Sequence, residues 1–205
     1  MRVVSAFLLL AGLTCGEASA QAPWEQVTST EGNFSLEMPV PPSIHRTLTR
    51  KNAAGVTREL EIGCRTDTGI YQVYRIDFPT AIVRGAEQAM LNMVRDEFAD
   101  DWNGKVISQK QVRAGNRIGR DFTIRGKPAE EIGVLTLRAR MYLDGKSIYL
   151  VLVGSAPNRE LPEDTGRFLG SLAIGEKRAR AAGTPEPEPT GTELPGWGLA
   201  IDPDK

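Results

Sequence analysis

The stretch Ser147-Ile148-Tyr149-Leu150-Val151-Leu152-Val153-Gly154 constrains the fold more than any other part of the chain. Asp144-Gly145 just before it is a strong two-residue hairpin signal, so residues 146–154 read as a strand that follows a tight turn. Successive strand side chains point to opposite faces. A strand that is apolar at odd and even positions alike therefore needs cover on both faces of its sheet, and a single layer of helix cannot supply it. The other arm of the hairpin, residues 132–143, is amphipathic. Leu135, Leu137, Ala139, Met141 and Leu143 face inward, with Thr136, Arg138 and Arg140 outward.

The remaining elements read in the same way. Phe34, Leu36 and Met38 alternate with Ser35 and Glu37 until Pro39, Pro41 and Pro42 forbid further ladder hydrogen bonds. In residues 56–64, Val56, Leu60, Ile62 and Cys64 share a face, which makes Cys64 a small core residue. Residues 70–78 place Ile70, Tyr74, Ile76 and Phe78 on one side before Pro79. From Gly85 to Trp102 the period changes, and Ala86, Ala89, Met90, Met93, Val94 and Phe98 fall at helical spacing before Asn103-Gly104. Strands at 105–113 and 117–125 flank Ala114-Gly115-Asn116 and join the later hairpin in an antiparallel meander. A second helix is expected from Pro162 to Ser171, carrying Phe168 and Leu169, with Glu163 and Asp164 at its dipole-favoured opening. These elements predict an α+β domain over residues 23–175, an antiparallel sheet with helices on both faces.

The termini differ in character. Arg2, the apolar run Val3 to Leu13, and Ala18-Ser19-Ala20 have the order of a secretory signal peptide. The apolar run is about ten residues, short of the roughly 20 a spanning helix needs. Residues 1–22 are therefore expected to be cleaved, giving a periplasmic or extracellular protein without a membrane span. The rival reading makes Cys15 a lipidated anchor, but Gly12 and Thr14 fit that signal poorly. With Cys15 removed, Cys64 has no partner for an internal disulfide. From Glu176 the chain turns rich in Pro, Glu and Thr, so residues 176–205 read as a disordered tail. It ends in a segment with Leu194, Trp197, Leu199 and Ile201, read either as docking on the parent domain or simple exposure, or as a binding motif at Trp197 or the stub of a further module.

Residues Gly32-Asn33-Phe34-Ser35-Leu36-Glu37-Met38-Pro39 with Pro41-Pro42, Tyr71-Gln72-Val73-Tyr74, Gly119-Arg120-Asp121-Phe122 and the hairpin from Tyr142 to Tyr149 resemble bacterial exported members of the PsbP-like superfamily. The resemblance implies an α/β/α sandwich whose first strand is an edge element closed by prolines, and it implies an accessory or binding role. It carries no catalytic residue set.

Chemistry is sparse along the chain. The lone histidine, His45, reads as a loop residue, and a triad through it would need Ser43 or a distant serine. No metal-ligand spacing is present; Glu97, Asp100 and Asp101 lie near a helix C-terminus, where the dipole disfavours anions. Gly115-Asn116-Arg117-Ile118-Gly119 precedes a strand and so lacks phosphate-loop geometry. No metal, cofactor or catalytic residue is assigned. With 25 basic and 26 acidic residues the net charge is -1, which argues against a nucleic-acid partner. The polar group singled out for partner binding is Arg117, Arg138 and Arg140, together with Trp197. Arg117, Arg138 and Arg140 are expected to align near Arg125, either free to hold carboxylate or phosphate groups or paired with Glu59, Glu61, Asp121 or Glu131. The expected function is a non-catalytic exported module that binds another envelope component. The alternative is a small-molecule carrier or hydrolase with a site between sheet and helix, lined by Tyr71, Tyr74, Tyr142 and Tyr149.

Overall fold

A computed structural model of the chain describes residues 24–52, 55–128 and 133–175. The signal-like segment, Cys15, the tail and Trp197 lie outside the described residues. Twelve elements follow in order: β1 (Glu25–Ser29), β2 (Phe34–Met38), β3 (Ile44–Asn52), β4 (Gly55–Arg65), β5 (Gly69–Asp77), α1 (Glu87–Asp101), β6 (Gly104–Ala114), β7 (Arg117–Gly126), β8 (Leu135–Asp144), β9 (Ser147–Ser155), α2 (Thr165–Ser171) and β10 (Ala173–Ile174). Seven strands form one antiparallel sheet in the order β3-β4-β5-β9-β8-β7-β6, and three form a second in the order β1-β2-β10.

The expected sandwich of one sheet between helical layers is incorrect. Of the described residues 55% are strand and 15% helix, so the fold is mostly β. One face of the seven-stranded sheet packs on α1, with Leu91 and Val94 against Phe122, Leu137, Met141 and Leu150. The other face packs chiefly on the three-stranded sheet through Phe34, Leu36 and Met38, beside the seven-residue α2. Every residue of β9 is buried, as its two-faced apolar sequence requires. That requirement specifies cover and not the kind of cover, and a second sheet meets it as well as a helix does.

The small sheet also corrects the reading of the first alternating strand. Phe34–Met38 is the middle strand, paired with β1 on one side and β10 on the other, and is not an edge element. The proline segment carries the chain from one sheet to the other. β2 stops at Met38, and the Ser43 N–H donates to the Gly63 carbonyl oxygen at 2.9 Å as β3 begins alongside β4. His45 thus lies in a strand opposite Ile62 and not in a loop.

The turns come out close to expectation. Asp144 pairs with Ser147, so the two-residue loop is Gly145-Lys146, one residue later than Asp144-Gly145. Gly145 has φ +62°, the first-position geometry of a type II′ turn, which a Cβ would disfavour. Inward positions also match: Cys64, Leu137, Ala139 and Met141 are at most 1% exposed. Val56 at 52% and Met93 at 46% are exceptions, as is Ala89, which is exposed on α1.

Candidate functional site

The three-stranded sheet and α2 cover β4, β5 and β9 and reach only part of β8. Beyond them, among the described residues, the same face of β8, β7 and β6 is polar and open. Cross-strand partners share a face in an antiparallel pair. Asp121 opposes Arg140, Thr123 opposes Arg138, and Arg125 opposes Thr136, while Lys110 opposes Asp121 and Lys105 opposes Arg125. Lys105 and Lys110 are an odd number of residues apart and would point to opposite faces of a regular strand. A bulge between Val106 and Ser108 re-phases β6 and brings both lysines to the arginine face. The extra residue, Ile107, is left 58% exposed.

At the centre, Asp121 is 4% exposed. It accepts from Arg140 Nη2 at 2.8 Å and Nε at 3.1 Å, and from Arg138 Nε and Nη2 at 3.3 Å each. Burial alone would raise the pKa of its carboxyl, but the hydrogen bonds from Arg140 and Arg138 outweigh burial and hold it below the usual aspartate value. One carboxylate thus organises two guanidinium groups and leaves the trio with a net positive charge. Arg140 Nη1 also donates to the Leu169 carbonyl oxygen at 3.3 Å, joining the trio to α2.

Arg117 stands at the hairpin end of this face, its Nε 3.1 Å from Asp144 Oδ2. Beside it lies a groove of about 540 Å3 between the β6–β7 turn and the α2–β10 segment, lined by Arg117, Tyr142, Arg167, Ser171 and Glu37. Arg167 forms one wall: Nε donates to Glu37 Oε2 at 2.8 Å, and its guanidinium stacks over the Trp24 ring at 4.4 Å. On the basic face itself Lys105, Lys110 and Arg125 are exposed and Arg138 and Arg140 half-buried.

The three described residues singled out from the sequence therefore share one face, and of the acids considered as their partners Asp121 pairs with Arg138 and Arg140, while Glu131 lies outside the described residues. Glu59 and Glu61 belong to the opposite face, where they pair with Arg50 and Arg46. The four tyrosines do not gather. Tyr71 packs edge-on against Phe168 and Tyr149 against Phe34 on the α2 side, Tyr142 lines the groove, and Tyr74 packs on Phe98 on the α1 side. His45 occupies β3, at the other edge of the sheet from β6. Among the described residues no group of three His, Cys, Asp or Glu side chains is arranged to hold a metal ion, and no helix is long and apolar enough to cross a membrane. Sequence reasoning missed Lys105, Lys110 and Arg167; the bulge and the α2 packing that recruit them leave no period in the sequence.

No family model matches the sequence, and a comparison with curated proteins returns no match.

Proposed function

We propose that the chain is an exported, non-catalytic binding module whose β6–β7–β8 face takes an acidic protein surface of the cell envelope. The observation that carries this reading is the concentration of Lys105, Lys110, Arg117, Arg125, Arg138 and Arg140 on one sheet face that no described element covers, in a chain whose net charge is -1. Electrostatic complementarity of this kind speeds encounter and selects partners. Arg138 and Arg140 are held in place by Asp121 and so present donors at little entropic cost on binding.

The test is affinity capture from an envelope extract with the native chain and with Lys110→Glu/Arg138→Glu. Loss of an acidic partner from the variant, with recovery blocked in the native chain by raised salt, supports the proposal. Capture of the same set by both forms, or retention of nucleic acid in place of protein, defeats it.

The groove beside Arg117 supports a second reading, a carrier of a small anionic molecule held by Arg117, Tyr142 and Ser171. Its volume suits such a ligand, and Arg117→Ala would abolish capture of that ligand while leaving protein partners in place.

A further inference from the structure

The β6–β7–β8 face carries the cations Lys105, Lys110, Arg117, Arg125, Arg138 and Arg140 against the carboxylates Asp121 and Asp144, a clear surplus of positive charge. Elsewhere Arg46, Arg50, Arg58, Arg75 and Arg95 each have a carboxylate partner. Lys105, Lys110 and Arg125 make no ion pair among the described residues.

The chain leaves the described domain at the hairpin end of this face. Gly175 is the last described residue, and its N–H donates to the Asn33 carbonyl oxygen at 2.9 Å. A Cβ built on it would stand 3.7 Å from Arg117 Nη2. The sequence beyond is first basic, with Lys177, Arg178 and Arg180, and then acidic. From residue 181 to residue 204 it carries Glu186, Glu188, Glu193, Asp202 and Asp204, and no Lys or Arg.

Reach permits the two to meet. Residues 176–185 can span up to about 33 Å when extended, and the ten residues of β7 cover about the same length at about 3.3 Å each. Pro185, Pro187 and Pro189 restrict the backbone between the acids, which lessens the entropy lost on docking. The groove beside Arg117 offers Tyr142, Leu172 and Ile174 to the Leu194, Trp197, Leu199 and Ile201 side chains of the same segment.

We infer that residues 184–204 dock in cis across the β6–β7–β8 face, with their carboxylates against its lysines and arginines, so that an acidic partner must displace them. The docking stands on charge and reach; only the displaced partner rests on the function proposed above. A tether of this kind gives an effective concentration in about the millimolar range. A segment that binds as a free peptide at about 0.1 mM then covers the face about ten to one and weakens a competitor about tenfold.

The experiment places a nitroxide at Thr190→Cys of the isotope-labelled full chain, with Cys15→Ser so that buried Cys64 is the only other cysteine. The amide signals of Lys105, Lys110, Arg125 and Arg138 should lose most of their intensity and regain it when the nitroxide is reduced. Replacing Glu186, Glu188 and Glu193 by Gln and Asp202 and Asp204 by Asn should restore the signals, as should Lys110→Glu/Arg138→Glu. Lys51→Glu, exposed on β3, should leave the loss in place. A synthetic peptide of residues 184–204 should bind the tail-neutralised full chain saturably, and the native chain about tenfold more weakly.

Undiminished signals on the face, a loss untouched by both sets of substitutions, or peptide binding equal in the two chains overturns the inference. A loss seen as strongly when the nitroxide sits on a second copy without isotope label also overturns it, by showing association in trans. Capture from an envelope extract tests the other reading separately. The tail-neutralised chain should hold an acidic partner more tightly than the native chain, and an unchanged hold overturns the competition. If neither chain captures such a partner, the proposed function falls, and the signal loss still decides the docking.

Discussion

Replacing Phe168 by alanine tests how the groove wall is attached to the sheet. α2 has seven residues, too short to persist alone, and its grip on the sheet is Phe168 and Leu169, 0% and 1% exposed. The Phe168 ring meets Tyr71 edge-on with centroids 5.3 Å apart. An enclosed phenylalanine buries about 150–250 Å2, which at about 25 cal/mol per Å2 amounts to roughly 4–6 kcal/mol. The Cβ that alanine keeps, and partial collapse of the gap, bring the expected loss to about 3–5 kcal/mol. In a domain stabilised by about 5–15 kcal/mol in all, the variant stays folded in most of that range but melts roughly 6–20 °C lower. Urea unfolding followed by tryptophan fluorescence and far-ultraviolet circular dichroism should show a lower midpoint with an unchanged slope. Met93→Ala, on the exposed side of α1, is the control and should stay within about 0.5 kcal/mol of the native chain. A Phe168→Ala loss below about 1 kcal/mol would refute the reasoning, since a void of that size cannot open in a packed core so cheaply.

Other substitutions probe the charged face and the core. Asp121→Asn should cost about 1–3 kcal/mol near neutral pH, less than breaking a fully buried pair because Arg138 and Arg140 keep some solvent. The folded-state pKa of Asp121 lies below its unfolded value, so its contribution is complete above the unfolded value and is lost as pH falls through the depressed one; urea midpoints of native chain and variant should converge on acidification. Cys64 is 0% exposed, and burial chiefly pushes its thiol up to about 11, with Asp164 adding to the rise and a backbone hydrogen bond at Val40 opposing it. Its reaction with a disulfide reagent at neutral pH should therefore track global unfolding, and fast labelling of the native chain would contradict that burial. Tyr71→Phe removes the 2.6 Å hydrogen bond to Asp164 Oδ1, with an expected loss of about 1–3 kcal/mol in the same urea assay.

The sequence was legible where one strand carries its own period. β8 and β9 announce which side chains are buried because β9 is covered on both faces and β8 on its α1 face, and Arg138 and Arg140 fall on one face by simple alternation. β3 was unreadable for the converse reason. Its residues His45, Arg46, Thr47, Leu48 and Thr49 are held by nine register pairs to β4 with little burial, so no apolar period marks it. β1 and β10 are five and two residues long and exist because β2 offers ladder partners on both sides. The helical cover expected over both faces failed at this point, since short strands that depend on a neighbour look like loop. The hydrogen bonds from Arg120 to Gln109 on β6 and Gln88 on α1 need the β6–β7 register and the seating of α1 at once, and the linear chain displays neither.

Both outermost strands of the large sheet, β3 and β6, leave one row of backbone amides and carbonyls without a neighbouring strand among the described residues. Each carries a strongly basic load: Arg46, Arg50 and Lys51 on one rim; Lys105, Lys110 and Arg113 on the other. Two copies meeting rim to rim would set like charges side by side, and the β6 bulge would throw their ladders out of step. The same lysines that could draw in an acidic partner thus also guard the molecule against self-polymerisation, and neutralising them would exchange a selective surface for a sticky one.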